Sequence, residues 1–374
     1  MTRAQQSTSS LTPEQKAPPV RLVFWETTAG CNLECRHCRR LEVSHELAKN
    51  DLNTEESKKL IDQIAETGQP VLVFSGGEPL IRPDIFELAG YAKEKNLLTA
   101  LATNGTMIDM AMAQKIAFAE FDRVSASLDG ADAQTHDQMR GLPGSFDSTM
   151  RGLKLLHTAE VSTQLNCTIA RHNKDQIEKM IQLGEQLGVS AVHYFLLVPV
   201  GCGEQIAEEQ MLDAEEVEER LERIYELEQK TELQIKATCA PHYYRILRQK
   251  GKGAAKRGHG ESDQRKAALH SITKGCLAGS AVCFVSHEGQ VFPCGYLPME
   301  AGNVRKQHFR DIWQNSSVFQ DLRNPHKLEG KCGHCEFKMV CSGCRARAFY
   351  EHGNFLQEEP YCLYEPRMGK NSKS

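Results

Sequence analysis

Cys31-Asn-Leu-Glu-Cys35-Arg-His-Cys38 closes one strand-like segment, Arg21–Glu26, and Gly76-Gly77-Glu78-Pro79 closes the next, Pro70–Ser75. The same pattern continues outward. Leu98–Thr103 runs into Asn104-Gly105, and Arg123–Leu128 runs into Asp129-Gly130. Thr163–Ala170 and Ala191–Val198 read as two further strands. Between them, Asp51–Thr67, Pro83–Lys95, Ala111–Glu120, Ser145–Thr158 and Lys174–Leu187 have helical spacing, with Asn53 or Thr54 placed to cap the first. Strand–helix alternation implies a parallel sheet with crossover helices. Such sheets place functional residues at the C-terminal ends of their strands, where the cysteine loop, the Gly-Gly-Glu-Pro turn, Asn104 and Asp129 all fall.

The rest of the chain sets limits. Its 374 residues are enough for two domains. At 40% hydrophobic and 25% charged it has the composition of a soluble globular protein. A net charge of −4 gives no footprint for nucleic acid. No apolar run is long enough to span a membrane, and the polar first residues do not form a signal peptide. Residues 1–20 read as a disordered arm. Cytoplasmic location follows as an expectation.

Cysteine is the exception, with fourteen in the chain. Without an export signal a disulfide framework is disfavoured, and closely spaced thiols point to metal. Cys31, Cys35 and Cys38 supply three clustered ligands and no evident fourth. Three thiolates on a four-iron cluster leave one iron open to a ligand. His37 could instead complete a zinc site, although its neighbours suggest that it packs around the cluster. A second group of eight lies between Cys276 and Cys362. Cys332-x2-Cys335 with Cys341-x2-Cys344 could hold one zinc, but that leaves Cys276, Cys283, Cys294 and Cys362 without a role. Cys167, Cys202 and Cys239 fall outside both groups and read as buried small hydrophobes.

Between these groups, Glu204–Glu232 carries twelve acidic and three basic residues and reads as a solvated helix. Residues 248–274 are Gly-rich and basic, with eight Lys or Arg against two acids, and read as a linker or a lid over an anionic substrate.

CNLECRHC, followed after the second strand by GGEP, resembles the CxxxCxxC loop and companion turn of radical S-adenosylmethionine (SAM) enzymes. The resemblance implies an α/β fold, a partial (β/α)6 TIM-like barrel over residues 21–235. It implies a 4Fe-4S cluster on Cys31, Cys35 and Cys38 whose open iron binds SAM. It also implies cofactor contacts at Gly76, Gly77, Glu78 and Pro79, and at Asn104, Ser127, Asp129 and Arg140. The pattern Cys276-x12-Gly289-x4-Cys294, then Cys332-x2-Cys335-x5-Cys341-x2-Cys344 and Cys362, resembles the SPASM domain. One spacer departs from that pattern: two residues separate Cys341 from Cys344 where the family usually has three. A full SPASM domain, here residues 276–366 behind a linker at 236–275 and before a tail at 367–374, implies two auxiliary 4Fe-4S clusters, for three in all. By position Cys276, Cys283, Cys294 and Cys344 would hold one, and Cys332, Cys335, Cys341 and Cys362 the other.

The text around these cysteines is similar to the heme synthases of the siroheme-dependent alternative heme pathway. Arg39-Arg40 after the third cysteine separates it from relatives that carry an aromatic residue there. The implied reaction is oxidative decarboxylation of two propionates of iron-coproporphyrin III to vinyl groups. SAM supplies the 5′-deoxyadenosyl radical, and an electron donor and an acceptor complete the balance. Didecarboxysiroheme deacetylation, heme d1 formation and peptide maturation are the alternatives. Arg39, Arg40 and the 248–274 loop are candidates for the propionates, and His259 or His270 for the porphyrin iron. A monomer working without oxygen is expected.

Overall fold

The computed structural model describes residues 17–40, 46–251 and 274–367. Most of the arm, most of the 248–274 segment with His259 and His270, and the last seven residues lie outside the described residues.

Seven strands form the parallel run, the first six in the expected order: β1 Leu22–Glu26, β2 Val71–Ser75, β3 Leu98–Thr103, β4 Arg123–Ser127, β5 Thr163–Ile169, β6 Ala191–Leu196 and β7 Gln234–Thr238. Each pairs in parallel with the next. The crossovers use helices α1 Thr54–Ala65, α2 Ile85–Glu94, α3 Met110–Ala119, α4 Ala133–Arg140, α5 Ser145–Thr158 and α6 Ile177–Gln186. Asn53 caps α1 in a reciprocal box with Glu56.

The C-terminal region joins the same sheet. β8, Val282–Val285, lies parallel to β1, and β9, Gln290–Phe292, and β10, Gly302–Asn303, follow antiparallel. The sheet therefore runs β10-β9-β8-β1-β2-β3-β4-β5-β6-β7.

Alternation along the strands assigns two faces. Val23, Trp25, Leu72, Phe74 and Leu101 point outward into a core with Leu60, Ile61 and Ile64 of α1. Leu165, Val192 and Tyr194 do the same against Met180 of α6 and Leu221. Inward-facing residues such as Phe24, Asn166, His193 and Lys236 are only half-buried, so the concave side of the sheet, the lumen, is less filled than the outer face. Its β1–β3 wall is apolar, built on Val71, Val73 and Ala100.

Three expectations change. The parallel run has a seventh barrel strand, β7, and the helix His242–Gln249 follows it inside the segment read as a linker. Helix α4 was not expected, because its buried residues are His136, Met139 and Arg140 and give no apolar stripe. The acidic segment is two single turns, Cys202–Gln205 and Ala207–Gln210, then the helix Ala214–Glu228. That helix buries Val217, Leu221, Ile224 and Leu227, so it is amphipathic and not fully solvated.

Candidate functional site

The cysteine loop leaves β1 and is held from three sides. The turn after β2 comes first: Gly77 N–H donates to the Thr28 carbonyl at 2.9 Å and Glu78 N–H to that of Gly30 at 2.8 Å. Close approach requires glycine there, since a β-carbon on Gly77 would lie 2.0 Å from the Gly30 oxygen. Asn104, after β3, donates through Nδ2 to Asn32 Oδ1 at 2.8 Å. Arg36 N–H donates to the Met139 carbonyl at 3.0 Å, which ties the loop to α4.

Glu78 is fully buried and faces inward to the turn. It accepts from the backbone N–H of Asn104 at 2.7 Å, from that of Leu80 at 3.1 Å and from Thr103 Oγ1 at 2.8 Å. Burial raises its carboxyl to about 7 against those donors. Its side chain therefore braces two strand ends, leaving the Gly76–Pro79 backbone as the part of the turn a ligand could meet.

Asp129, at the end of β4, is also fully buried. It pairs with Arg140 Nη2 at 2.7 Å and lies 3.3 Å from His37 Nε2. Burial alone would raise its carboxyl, but Arg140 and His37 hold it at about 2. Arg140 Nη1 also reaches the Cys35 sulfur at 3.6 Å. Arg140 thus bridges Asp129 to the cysteine loop, and His37 turns to Asp129 and not toward the three thiols. Ser127, half-buried, ends the inward face of β4.

Arg39 and Arg40 have an internal partner. Both pair with Glu26, which is buried at the end of β1, Arg40 at 2.7 Å. His287, just beyond β8, adds its Nδ1 at 3.0 Å from the same carboxylate. Arg39 lies with its guanidinium carbon 4.1 Å from the Phe284 ring centre. The two arginines therefore fasten the cysteine loop to the C-terminal region through Glu26.

The C-terminal cysteines form two groups. Cys332, Cys335, Cys341 and Cys362 line one cavity together with His242 and Arg245. Backbone N–H groups point at their sulfurs: Glu359 to Cys332 at 3.3 Å, Phe337 to Cys335 at 3.4 Å and Gly343 to Cys341 at 3.4 Å. Cys344 belongs elsewhere, packed with Cys239, Cys294, Val198 and Leu297. Ser342 and Gly343 are both left-handed, at φ 64° and 62°, and this two-residue spacer sends Cys341 and Cys344 to different groups. That division removes the basis for a single zinc shared by Cys332, Cys335, Cys341 and Cys344.

Cys283 corrects the expected ligand set. It lies on the outward face of β8, fully buried in the main core with Trp25 and Phe309. Cys239, read from sequence as a core filler, takes the place beside the others. Burial raises its thiol, and negative charge on Cys344, Cys294 and Cys276 raises it further. It follows β7 directly with a left-handed φ of 54°, a strained conformation for a side-chain-bearing residue. Its place at the end of a parallel strand was the available signal, once β7 is recognised.

Four thiols gathered in one place, with arginines close by (Arg345 Nη2 lies 3.8 Å from the Cys332 sulfur), suit an iron–sulfur cluster, whose ligands are thiolates. The Cys31–Cys38 loop fits a cluster with one open position beside the Gly76–Pro79 backbone.

The Radical SAM superfamily matches residues 25–184, and the SPASM iron–sulfur cluster-binding domain matches residues 276–336. The AdoMet-dependent heme synthase of Methanosarcina barkeri is 47% identical, over 92% of this chain and 97% of its own. This chain belongs to that radical SAM–SPASM family. The AdoMet-dependent heme synthase of Oleidesulfovibrio alaskensis is 44% identical over 95% of this chain and 90% of its own. Among solved structures, Streptococcus suis SuiB bound to its precursor peptide SuiA superposes with a TM-score of 0.70, covering 93% of this chain and 76% of SuiB at 15% identity. The anSMEcpe structure with bound AdoMet gives 0.68 at 19% identity, covering 92% of this chain and 94% of that one. These two likenesses establish the radical SAM–SPASM fold.

Proposed function

We propose that this protein is a heme synthase that converts two propionates of iron-coproporphyrin III to vinyl groups. The observation that carries the reading is 47% identity to an AdoMet-dependent heme synthase along 97% of that relative. The Fe-coproporphyrin III synthase of Methanosarcina barkeri, at 33%, and the mycofactocin maturase MftC of Mycobacterium tuberculosis, at 30%, stand further off.

In this reading Cys31, Cys35 and Cys38 hold the cluster that binds SAM. Cys239, Cys276, Cys294 and Cys344 hold one auxiliary cluster, and Cys332, Cys335, Cys341 and Cys362 the other. When bound there, the cluster would supply the one electron that reductive cleavage of SAM requires, the chemistry that starts the hydrogen abstraction. The Gly76–Pro79 backbone offers carbonyl acceptors to the SAM amino group, while Glu78 keeps that backbone in place. Arg140 and Asp129 fix the cysteine loop against the end of β4. The lumen excludes bulk water on its apolar wall and takes the macrocycle. Each propionate gives up one hydrogen atom, CO2 and one electron as its side chain becomes a vinyl group. A donor and an acceptor of electrons complete the balance.

The test is an anaerobic assay of reconstituted protein with SAM, dithionite and iron-coproporphyrin III, read by mass spectrometry. The expected product has lost CO2 and two hydrogens from each of two side chains. Formation of 5′-deoxyadenosine with the porphyrin unchanged would overturn the substrate and leave only the radical chemistry.

A further inference from the structure

The two walls of the lumen differ in chemistry. Across from the apolar wall, β7 turns Ile235 and Ala237 outward into the core and Gln234, Lys236 and Thr238 inward. All three inward residues are short of partners. Gln234 Oε1 and Thr238 Oγ1 are buried without a hydrogen bond among the described residues. Among the same residues Lys236 meets no hydrogen-bond or ion-pair partner. Burial, with a smaller contribution from the like charge of Arg21, lowers its amine to about 8. Unpaired polar groups in such a row lose their water for nothing unless a ligand replaces it.

The register places this row relative to the cofactor end of the barrel. Ser127 pairs with Asn166, Asn166 with His193, and His193 with Lys236. Three interstrand steps of about 4.8 Å separate Ser127 from Lys236, about 14 Å along the sheet. That is of the order of a porphyrin with its side chains. A flat molecule with one side group at the β4 end would reach the β7 edge with another.

We propose that the inward edge of β7, with Lys236 at its centre, receives a carboxylate of the substrate that is not undergoing reaction. The assignment rests on the functional reading above. Lys236 supplies the charge and Thr238 a hydroxyl donor to a carboxylate that would otherwise remain hydrated, and Gln234 joins them through its Nε2 donor, its Oε1 being an acceptor. The apolar wall then covers the macrocycle.

The experiment is an anaerobic titration of the reconstituted protein with iron-coproporphyrin III, followed by its visible band. Lys236→Gln should weaken binding by about ten- to a hundredfold, the range expected for losing a hydrogen bond to a charged group. Lys236→Arg should recover most of it. Lys230→Gln, an exposed neighbour of equal charge, should bind as the parent does. The melting temperature of Lys236→Gln should not fall, since the amine has no hydrogen-bond or ion-pair partner among the described residues to lose. Parent-like affinity in Lys236→Gln would overturn the proposal while leaving the substrate intact. A parent that cleaves SAM but does not bind iron-coproporphyrin III would overturn the functional reading itself. A fall in melting temperature with unchanged affinity would assign Lys236 a structural role and also overturn the proposal.

Discussion

Gly77 stands so close to Gly30 that a β-carbon on it would fall 2.0 Å from the Gly30 carbonyl oxygen and 2.9 Å from that of Ala29. The turn after β2 and the cysteine loop after β1 are therefore in backbone-to-backbone contact, with no flexible side chain to move aside. Gly77→Ala must push the two apart. Overpacking of this kind costs about 1–3 kcal/mol, and here the displaced element carries the cofactor-facing carbonyls. The variant is expected to melt at a lower temperature and to form 5′-deoxyadenosine about tenfold more slowly or worse. Parent-like cleavage would mean that the turn can relax without disturbing the loop.

Cys239 and Cys283 make a matched pair for testing the auxiliary ligands. Cys239→Ala should hold about four fewer irons and sulfides per chain after reconstitution. Cys283→Ala should keep the full complement and lose only about 1 kcal/mol of stability from a small core truncation. Iron and sulfide analysis with Mössbauer spectroscopy reads the difference independently of turnover. Loss of iron on changing Cys283 alone would return the ligand role to the β8 residue.

The first six barrel strands were legible in sequence because short apolar runs alternate with helical spacing, and the first four of them end in a loop or turn motif. The cysteine loop and the Gly-Gly-Glu-Pro turn were legible for the same reason. β7 was not, since Gln234, Lys236 and Thr238 face the lumen and only Ile235 and Ala237 supply apolar signal. Missing β7 hid Cys239, whose meaning depends on lying at a strand end. Cys283 misled because spacing along the chain does not say which face of a strand a residue occupies. Arg39 and Arg40 show a different limit of the sequence. Their charge was visible, but Glu26, thirteen residues before Arg39, was not an evident partner.

Glu26 should give the fold an acid-sensitive fastening. Burial pushes its carboxyl up, but Arg39, the His287 hydrogen bond and Arg40 outweigh that and hold it well below its ordinary value of 4.5. A carboxylate depressed on folding contributes stability that is complete above 4.5 and lost as pH falls through the folded value. Glu26→Gln leaves two arginines facing a neutral amide and should cost about 3–5 kcal/mol at neutral pH. The gap between parent and variant should narrow below pH 4.5, as the unfolded parent takes up the proton. Denaturant titrations of both proteins across that range measure it. A gap independent of pH would show that Glu26 acts by shape and not by charge.

Glu359 and Arg347 form a second pair, each only 1% exposed at its side chain, with Nε 2.9 Å from Oε1. The other oxygen, Oε2, accepts the backbone N–H of Cys344 at 2.6 Å. Burial raises the Glu359 carboxyl, yet Arg347 and His242 bring it down to about 2, so it is charged throughout the physiological range. Arg347→Met should destabilise by about 3–5 kcal/mol, because a buried carboxylate is left without its countercharge. Adding Glu359→Gln should recover part of that loss, since the amide keeps an acceptor for Cys344 and removes the stranded charge. The double variant should therefore be more stable than Arg347→Met alone in urea unfolding of the metal-free protein. If the two losses simply add, the pair is not coupled, and the position of Cys344 depends on its apolar packing instead.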